Sequence, residues 1–367
     1  MKAAVLVGIS ILLTSYSMPM HADLISEMAS QLNRHHISAP AESAAVEGLR
    51  RSVTDYLHSL DPYTEYLPPQ RYRQRRKSGS FGIGADILSI DDYYIIIPYR
   101  NGAAFATGLQ VPSRLLAVFG QAVTPLPFAD VAKLFATTLA DETIIIAIQR
   151  PRVAKAEMFS IRPRRVQAPL VERFDVAGRS LLRVREFRAH QTSDLINREI
   201  QKRRSEQQPL IIDLRFAQGG DFYEALDTAS LFLPTGALMG FSVDNSNRRK
   251  AFRALPNKQP ILHAEPIILL IGPHTASAAE SFTAALHFHG AAILVGQQTY
   301  GKCTGQKLFE LSNGGALKIT NLKLLWPSGH FCNNNGLEPD YRVSALAILD
   351  TELLIDYGLQ RIWNRLP

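Results

Sequence analysis

The chain has 367 residues, 46% apolar and 20% charged, with 23 Gly and 21 Pro, which excludes a collagen, a disordered polar tract and a coiled-coil rod. Its two cysteines, Cys303 and Cys332, exclude a disulfide-rich scaffold and a four-cysteine zinc site. A net charge of +7 permits contact with nucleic acid or anionic lipid. The basic knots at 71–77, 150–165 and 202–204 carry no aromatics at a stacking spacing, so they read as solvated faces and no nucleic-acid partner is expected.

The first residues read as an address. Met1 and Lys2 open onto an apolar run at 3–13, and polar residues lead to Met20, His21 and Ala22. That pattern predicts a secretory signal peptide over 1–22, cut after Ala22. The run falls short of the roughly 20 residues a membrane span needs. Export is therefore expected, to the periplasm if the host is a typical bacterium, and in an oxidising compartment Cys303 and Cys332 could pair.

Residues 23–77 form an N-terminal helical segment in this reading, with two helices over 24–57 and a turn-rich stretch at 60–69, where Pro62, Pro68 and Pro69 oppose helix. Residues 78–165 read as a small β-rich module. A glycine loop at 79–84 enters a strand over 83–90, and further strands are expected at 93–98, 114–118 and 143–149, with a helix over 128–139. The glycines fall at 79, 82 and 84, which does not fit a dinucleotide fingerprint. A glycine loop, strands and one helix beside a strand is the order of a PDZ-like peptide-binding domain. Residues 166–367 alternate strands (180–184, 210–214, 267–271, 292–295) with helices (192–202, 223–233, 276–288). They close with a hairpin, 308–311 and 316–325, around Asn313, Gly314 and Gly315. The fold class is α/β, with a layered core in the last block.

Three loops hold residues that could do chemistry. Ser277 lies where a buried strand meets a helix, well placed as a nucleophile beside free helix N–H groups, although on this segment alone a simple helix cap is the safer reading. Lys302 sits in a loop after an apolar strand, and burial would let its amine act as a base. Gly219 and Gly220 follow strand 210–214 and let backbone approach a ligand, or simply turn the chain.

Taken together, these loops resemble the C-terminal processing peptidases, or tail-specific proteases. The family's T-A-S-A-[S/A]-E is matched at 275–280, its T-[F/Y]-G-K-x-x-x-Q at 299–306, and its D-L-R-x-N-x-G-G, with one departure, at 213–220. LDPYTEYL at 60–67, GSFGIG at 79–84, PSG at 327–329 and GLEPD at 336–340 follow the family's order. The resemblance covers roughly 55–345. It implies a crotonase-like catalytic core with an inserted PDZ-like domain. It makes Ser277 the nucleophile, Lys302 the general base and Gln306 the group that orients the amine. The oxyanion would be held by the N–H of Ala278 and of Gly219 or Gly220. Amides at Phe81, Gly82 and Ile83 would hold the carboxylate of an apolar tail lying beside 83–88. No metal or cofactor is implied. The implied partners are protein substrates with apolar C-termini, and an adaptor lipoprotein is left open. A catalytically inactive, peptide-binding relative is the alternative. A histidine-based variant through His274 ranks lower, because no carboxylate is identifiable to orient it. The chain departs from the family's usual pattern at Ala217, Cys303, Gly305, Ser113 and Arg114.

Overall fold

The computed structural model describes residues 22–74, 80–136, 142–202, 209–256, 267–332 and 334–363. The expected signal peptide lies outside them except for Ala22, as does the end of the helix expected over 128–139.

Three helices come first: α1 (Ala22–His35), α2 (Glu42–Arg51) and α3 (Val53–Leu60). The expectation of two helices is corrected here. Ser52, in extended backbone, ends α2 and caps α3 by accepting the Asp55 N–H at 3.2 Å. Met28, Leu32, Leu49 and Leu57 bury their side chains against Leu317 and Ile319 near the far end of the chain. Strand β1 (Glu65–Leu67) pairs with the same distant strand, and α4 (Pro69–Gln74) follows.

The middle of the chain gives β2 (Ser80–Gly82), β3 (Ala85–Ile90), β4 (Tyr93–Pro98), α5 (Ala103–Ala106), β5 (Ser113–Val118), β6 (Gln121–Ala122), α6 (Phe128–Ala136), β7 (Ile144–Gln149), β8 (Glu157–Ile161) and β9 (Arg164–Val166). An antiparallel sheet runs β3-β4-β5-β7-β8, and β2 pairs with β9 apart from it. The unbroken apolar run of β4 is explained by burial on both faces. Tyr94 and Ile96 join this sheet's own core with Val131 of α6, while Ile95 and Ile97, with Leu88 and Ile90 of β3, pack against the last block.

That block contains β10 (Val171–Val176), β11 (Arg179–Val184), α7 (Thr192–Gln201), β12 (Ile211–Asp213), α8 (Phe222–Ser230), β13 (Leu238–Asp244), β14 (Arg249–Arg253), β15 (Ile267–Ile271), α9 (Ala278–Phe288), β16 (Ala292–Gly296), β17 (Thr304–Glu310), β18 (Ala316–Leu325), β19 (Tyr341–Arg342) and α10 (Thr351–Trp363). A six-stranded sheet has the order β10-β11-β12-β15-β16-β19 and is parallel from β11 onward. Helices α7, α8 and α9 bury Ile196, Leu226 and Phe282 on one face. On the other, Leu354 and Ile355 of α10 meet the apolar face of β3 and β4. A second sheet is built on β18, which pairs with β17 along one edge and with β1 and β13 along the other.

Two further expectations are corrected. The helix expected from 276 begins at Ala278, leaving Ser277 outside the helical backbone. The first arm of the hairpin begins at Thr304 and not at 308, with a bulge between Gly305 and Gln306. Gln306 therefore stands on a strand and not in the loop.

Candidate active site

The three loops leave the C-terminal ends of the adjacent parallel strands β12, β15 and β16, where open α/β sheets place their ligands. Backbone and hydroxyl bonds fasten them together. Thr275 Oγ1 donates to the Leu214 carbonyl at 2.7 Å and accepts the Gly272 N–H at 2.9 Å. Ala276 N–H donates to the Ala217 carbonyl, and Tyr300 N–H to the Thr275 carbonyl, both at 3.0 Å. Ala217 thus braces the serine loop through its backbone carbonyl.

Ser277 has φ 56° and ψ −119°, a strained conformation for a residue with a Cβ. It immediately precedes α9, and the N–H of Ala278, the first residue of that helix, has no intrahelical acceptor. Gly219 comes up against it with φ 111°; a Cβ there would lie 2.9 Å from Ser277 Cβ and 3.3 Å from Ala278 N. Only glycine allows this approach. Gly220 (φ 126°) packs equally tightly, but against the backbone of Phe187.

The strain at Ser277 is held by Glu280, a residue to which the sequence motifs assign no catalytic role. Its side chain is fully buried. Oε2 accepts the Ser277 N–H at 2.9 Å and the Lys302 N–H at 2.8 Å. Oε1 accepts the Thr299 hydroxyl at 2.6 Å and the Gly301 N–H at 2.8 Å. One carboxylate thus joins the serine loop to the lysine loop. Burial holds its pKa above the ordinary carboxylate value, against the opposing pull of the four donors.

Lys302 is 9% exposed. Burial, followed by the positive charge of Lys318, lowers its amine from 10.5 to about 8, against the opposing pull of Asp61, Glu280 and Glu65. Nζ lies over the ring of Tyr63, 4.4 Å from its centroid. Among the described residues no hydrogen bond joins Nζ to Ser277 or to Gln306. The Gln306 amide instead donates to the hydroxyls of Thr304 at 3.0 Å and Thr320 at 3.3 Å. Cys303, next in the chain, is bonded to Cys332 with the two Cα atoms 5.5 Å apart.

The remaining candidates lie apart from this centre. Phe81 and Gly82 are on β2, paired with Arg165 and Arg164 of β9. Ile83 is buried in the core of the β-rich sheet, where its carbonyl accepts the Ala104 N–H. His274 is buried and its Nε2 meets the Ser89 carbonyl of β3 at 2.8 Å, while desolvation lowers its pKa. This bond ties the β-rich sheet to the loop that carries Ser277.

Asp61 and Tyr63 belong to the site as well, although sequence reasoning singles out neither within the segment at 60–67. A signal for them is present: Asp-Pro-Tyr-Thr is turn chemistry in which the Asp side chain takes the following backbone N–H groups.

Residues 180–343 match the profile of Peptidase family S41. Over 306 residues the chain is 28% identical to the chloroplastic carboxyl-terminal-processing peptidase 1 of Arabidopsis thaliana, covering 79% of this chain and 61% of that protein. Over 290 residues it is 27% identical to a carboxyl-terminal-processing protease of Picosynechococcus sp., covering 76% of this chain and 69% of that one. The chain thus spans about three fifths of the Arabidopsis protein. Among solved structures it is similar to the photosystem II D1 C-terminal processing protease, with a TM-score of 0.61 at 20% identity, covering 89% of this chain and 94% of that one. The layered α/β fold expected from the sequence is shared with that solved structure.

Proposed function

We propose that this chain, a relative of the carboxyl-terminal-processing peptidases, is an exported serine endopeptidase with Ser277 as nucleophile and Lys302 as general base. The observation that carries the reading is the Glu280 carboxylate, whose Oε2 takes the N–H of both residues within 3 Å and so sets one against the other.

A serine hydroxyl needs a base to take its proton. With a pKa near 8, about a tenth of the Lys302 amines are neutral at pH 7, enough for a base. Neutral Nζ accepts the Ser277 proton as Oγ attacks the scissile carbonyl. The oxyanion that forms is met by the N–H of Ala278 and the backbone of Gly219, supported by the end of α9. The Lys302 ammonium then protonates the leaving amine, and water hydrolyses the acyl-enzyme by the same route in reverse. Catalytic hydrogen bonds often tighten only around bound substrate, which accommodates the missing Nζ–Oγ contact. Gln306, turned toward two threonine hydroxyls, steadies the strand beside the base in this reading.

An apolar substrate tail would add to the open edge of β3, which carries the Ser89 carbonyl that holds His274. The Cys303–Cys332 bond supports export, because such bonds persist in oxidising compartments.

The test is incubation of the purified protein with an unfolded protein ending in an apolar tail. The parent should cleave it, and Ser277→Ala and Lys302→Ala should each lose at least about 10³-fold in rate. Binding of the tail without cleavage by the parent would replace the peptidase with a peptide-binding protein. Cleavage that survives Lys302→Ala would assign the base elsewhere.

A further inference from the structure

Lys302 faces a small, densely bonded structure contributed by the N-terminal helices. Asp61 ends α3, and its carboxylate accepts five donors: the Tyr63 N–H at 2.7 Å, the Thr64 N–H at 3.0 Å, the Thr64 hydroxyl at 2.6 Å, the Thr320 hydroxyl of β18 at 2.8 Å and His36 Nε2 at 2.8 Å. Ser38 N–H donates to His36 Nδ1, which leaves Nε2 to carry the proton toward Asp61. His36 is 1% exposed, so the tie between α1 and this turn is internal. Thr320 passes the connection on, since its hydroxyl also receives the Gln306 amide. These bonds fix the turn so that the Tyr63 ring lies under Lys302 Nζ, at 4.4 Å.

We propose that Asp61 and Tyr63 are positioning residues for the base: the Tyr63 ring is the platform that keeps water from the Lys302 amine, and Asp61, held by His36 and Thr320, sets the platform and supplies a negative charge facing the amine. The proposal rests on the assignment of Lys302 as base. The other groups that face the amine are Glu65 of β1, Glu280 of α9 and Lys318 of β18, with Tyr300 beside Tyr63. Lys318 is paired with Glu65 at 3.1 Å and Glu280 is shared among four donors, so the N-terminal segment acts on the amine through Asp61 and Tyr63 together with a Glu65 already paired. Asp61 favours the ammonium by charge. Tyr63 works against it by excluding water, and this outweighs the attraction of its ring face.

The two residues therefore pull in opposite directions, a signature that a merely structural role does not produce. The measurement is the acid limb of the kcat/KM–pH profile on a peptide substrate. In parallel, the pH dependence of acetic anhydride labelling at Lys302, read by mass spectrometry, is followed in a Ser277→Ala background. Asp61→Asn should move the limb and the labelling midpoint to lower pH by about half a pH unit or more. Tyr63→Ala should move both to higher pH, and activity at pH 7 should fall roughly tenfold for every pH unit the limb moves. Tyr63→Phe should restore the parent midpoint. If rates fall while the midpoints stay fixed, or if both variants move the midpoints the same way, the proposal is overturned. If Asp61→Asn does not fold, the Tyr63 pair decides. If the parent cleaves nothing, the peptidase reading fails, yet the labelling midpoints still judge the platform.

Discussion

In its proposed role as base, Lys302 would set catalysis against stability at a single side chain. Its amine is lowered to about 8, so the folded protein disfavours the ammonium that the unfolded chain prefers. The penalty is full below pH 8, fades as the pH climbs through 10.5 and is gone only above that, where both states are neutral. Lys302→Met should therefore stabilise the protein at pH 7 by on the order of 1–3 kcal/mol while abolishing cleavage, which thermal melts at pH 7 and pH 10 would check; the gain should shrink at the higher pH. Lys318 lowers the same amine, so Lys318→Met should move the acid limb of activity upward. Glu280→Gln should cost about 2–3 kcal/mol in urea unfolding and most of the activity, because an amide nitrogen would face N–H donors that now meet a carboxylate.

At the scale of elements, the strand-to-helix and strand-to-loop junctions matter more than their lengths. Strand β15 is buried at every position and α9 follows Ser277 directly, so this junction was legible from an apolar run meeting a capping pattern. The Lys302 loop was legible from the apolar run of β16 that it follows. What the sequence hid was partnership across distance. Gln306 reads as a loop residue because the start of β17 is specified by pairing with β18 and by a bulge, and no local apolar alternation marks it. Strand β14, largely exposed, and the two-residue β19 carry no periodic signal at all. Asp61 looks like one polar residue in a turn, and its partners His36 and Thr320 lie far from it in sequence. Two variants test the elements directly. Ser52→Ala should cost about 1 kcal/mol through loss of the α3 cap, seen as a changed urea midpoint. Replacing Cys303 and Cys332 together by Ala should cost about 2–4 kcal/mol, and the same loss should follow complete reduction of the parent.

Across the whole molecule, the β-rich sheet is docked by more than its apolar face. Arg185 of the last block meets Asp86 of β3 and, at 3.2 Å, the buried Glu172, while its guanidinium stacks 4.2 Å from the Tyr99 ring. Arg185→Ala leaves Glu172 buried without that charge partner and should destabilise by about 3–5 kcal/mol, with the two regions unfolding in separate transitions in calorimetry. The hairpin of β17 and β18 is the other unifying piece, since it carries Gln306 and Thr320 and receives both β1 and the N-terminal helices. Cys303 stands just before β17 and Cys332 beyond β18, so the cystine closes a covalent ring around the whole hairpin. The hairpin tip, Ser312 to Gly314, is exposed. A single cut there would open the ring and sever the backbone, yet leave the halves joined through the cystine: they would part on a reducing gel and migrate together on a non-reducing one. The chain could thus be nicked at this exposed turn and still keep its Lys302 loop tethered to its C-terminal strands.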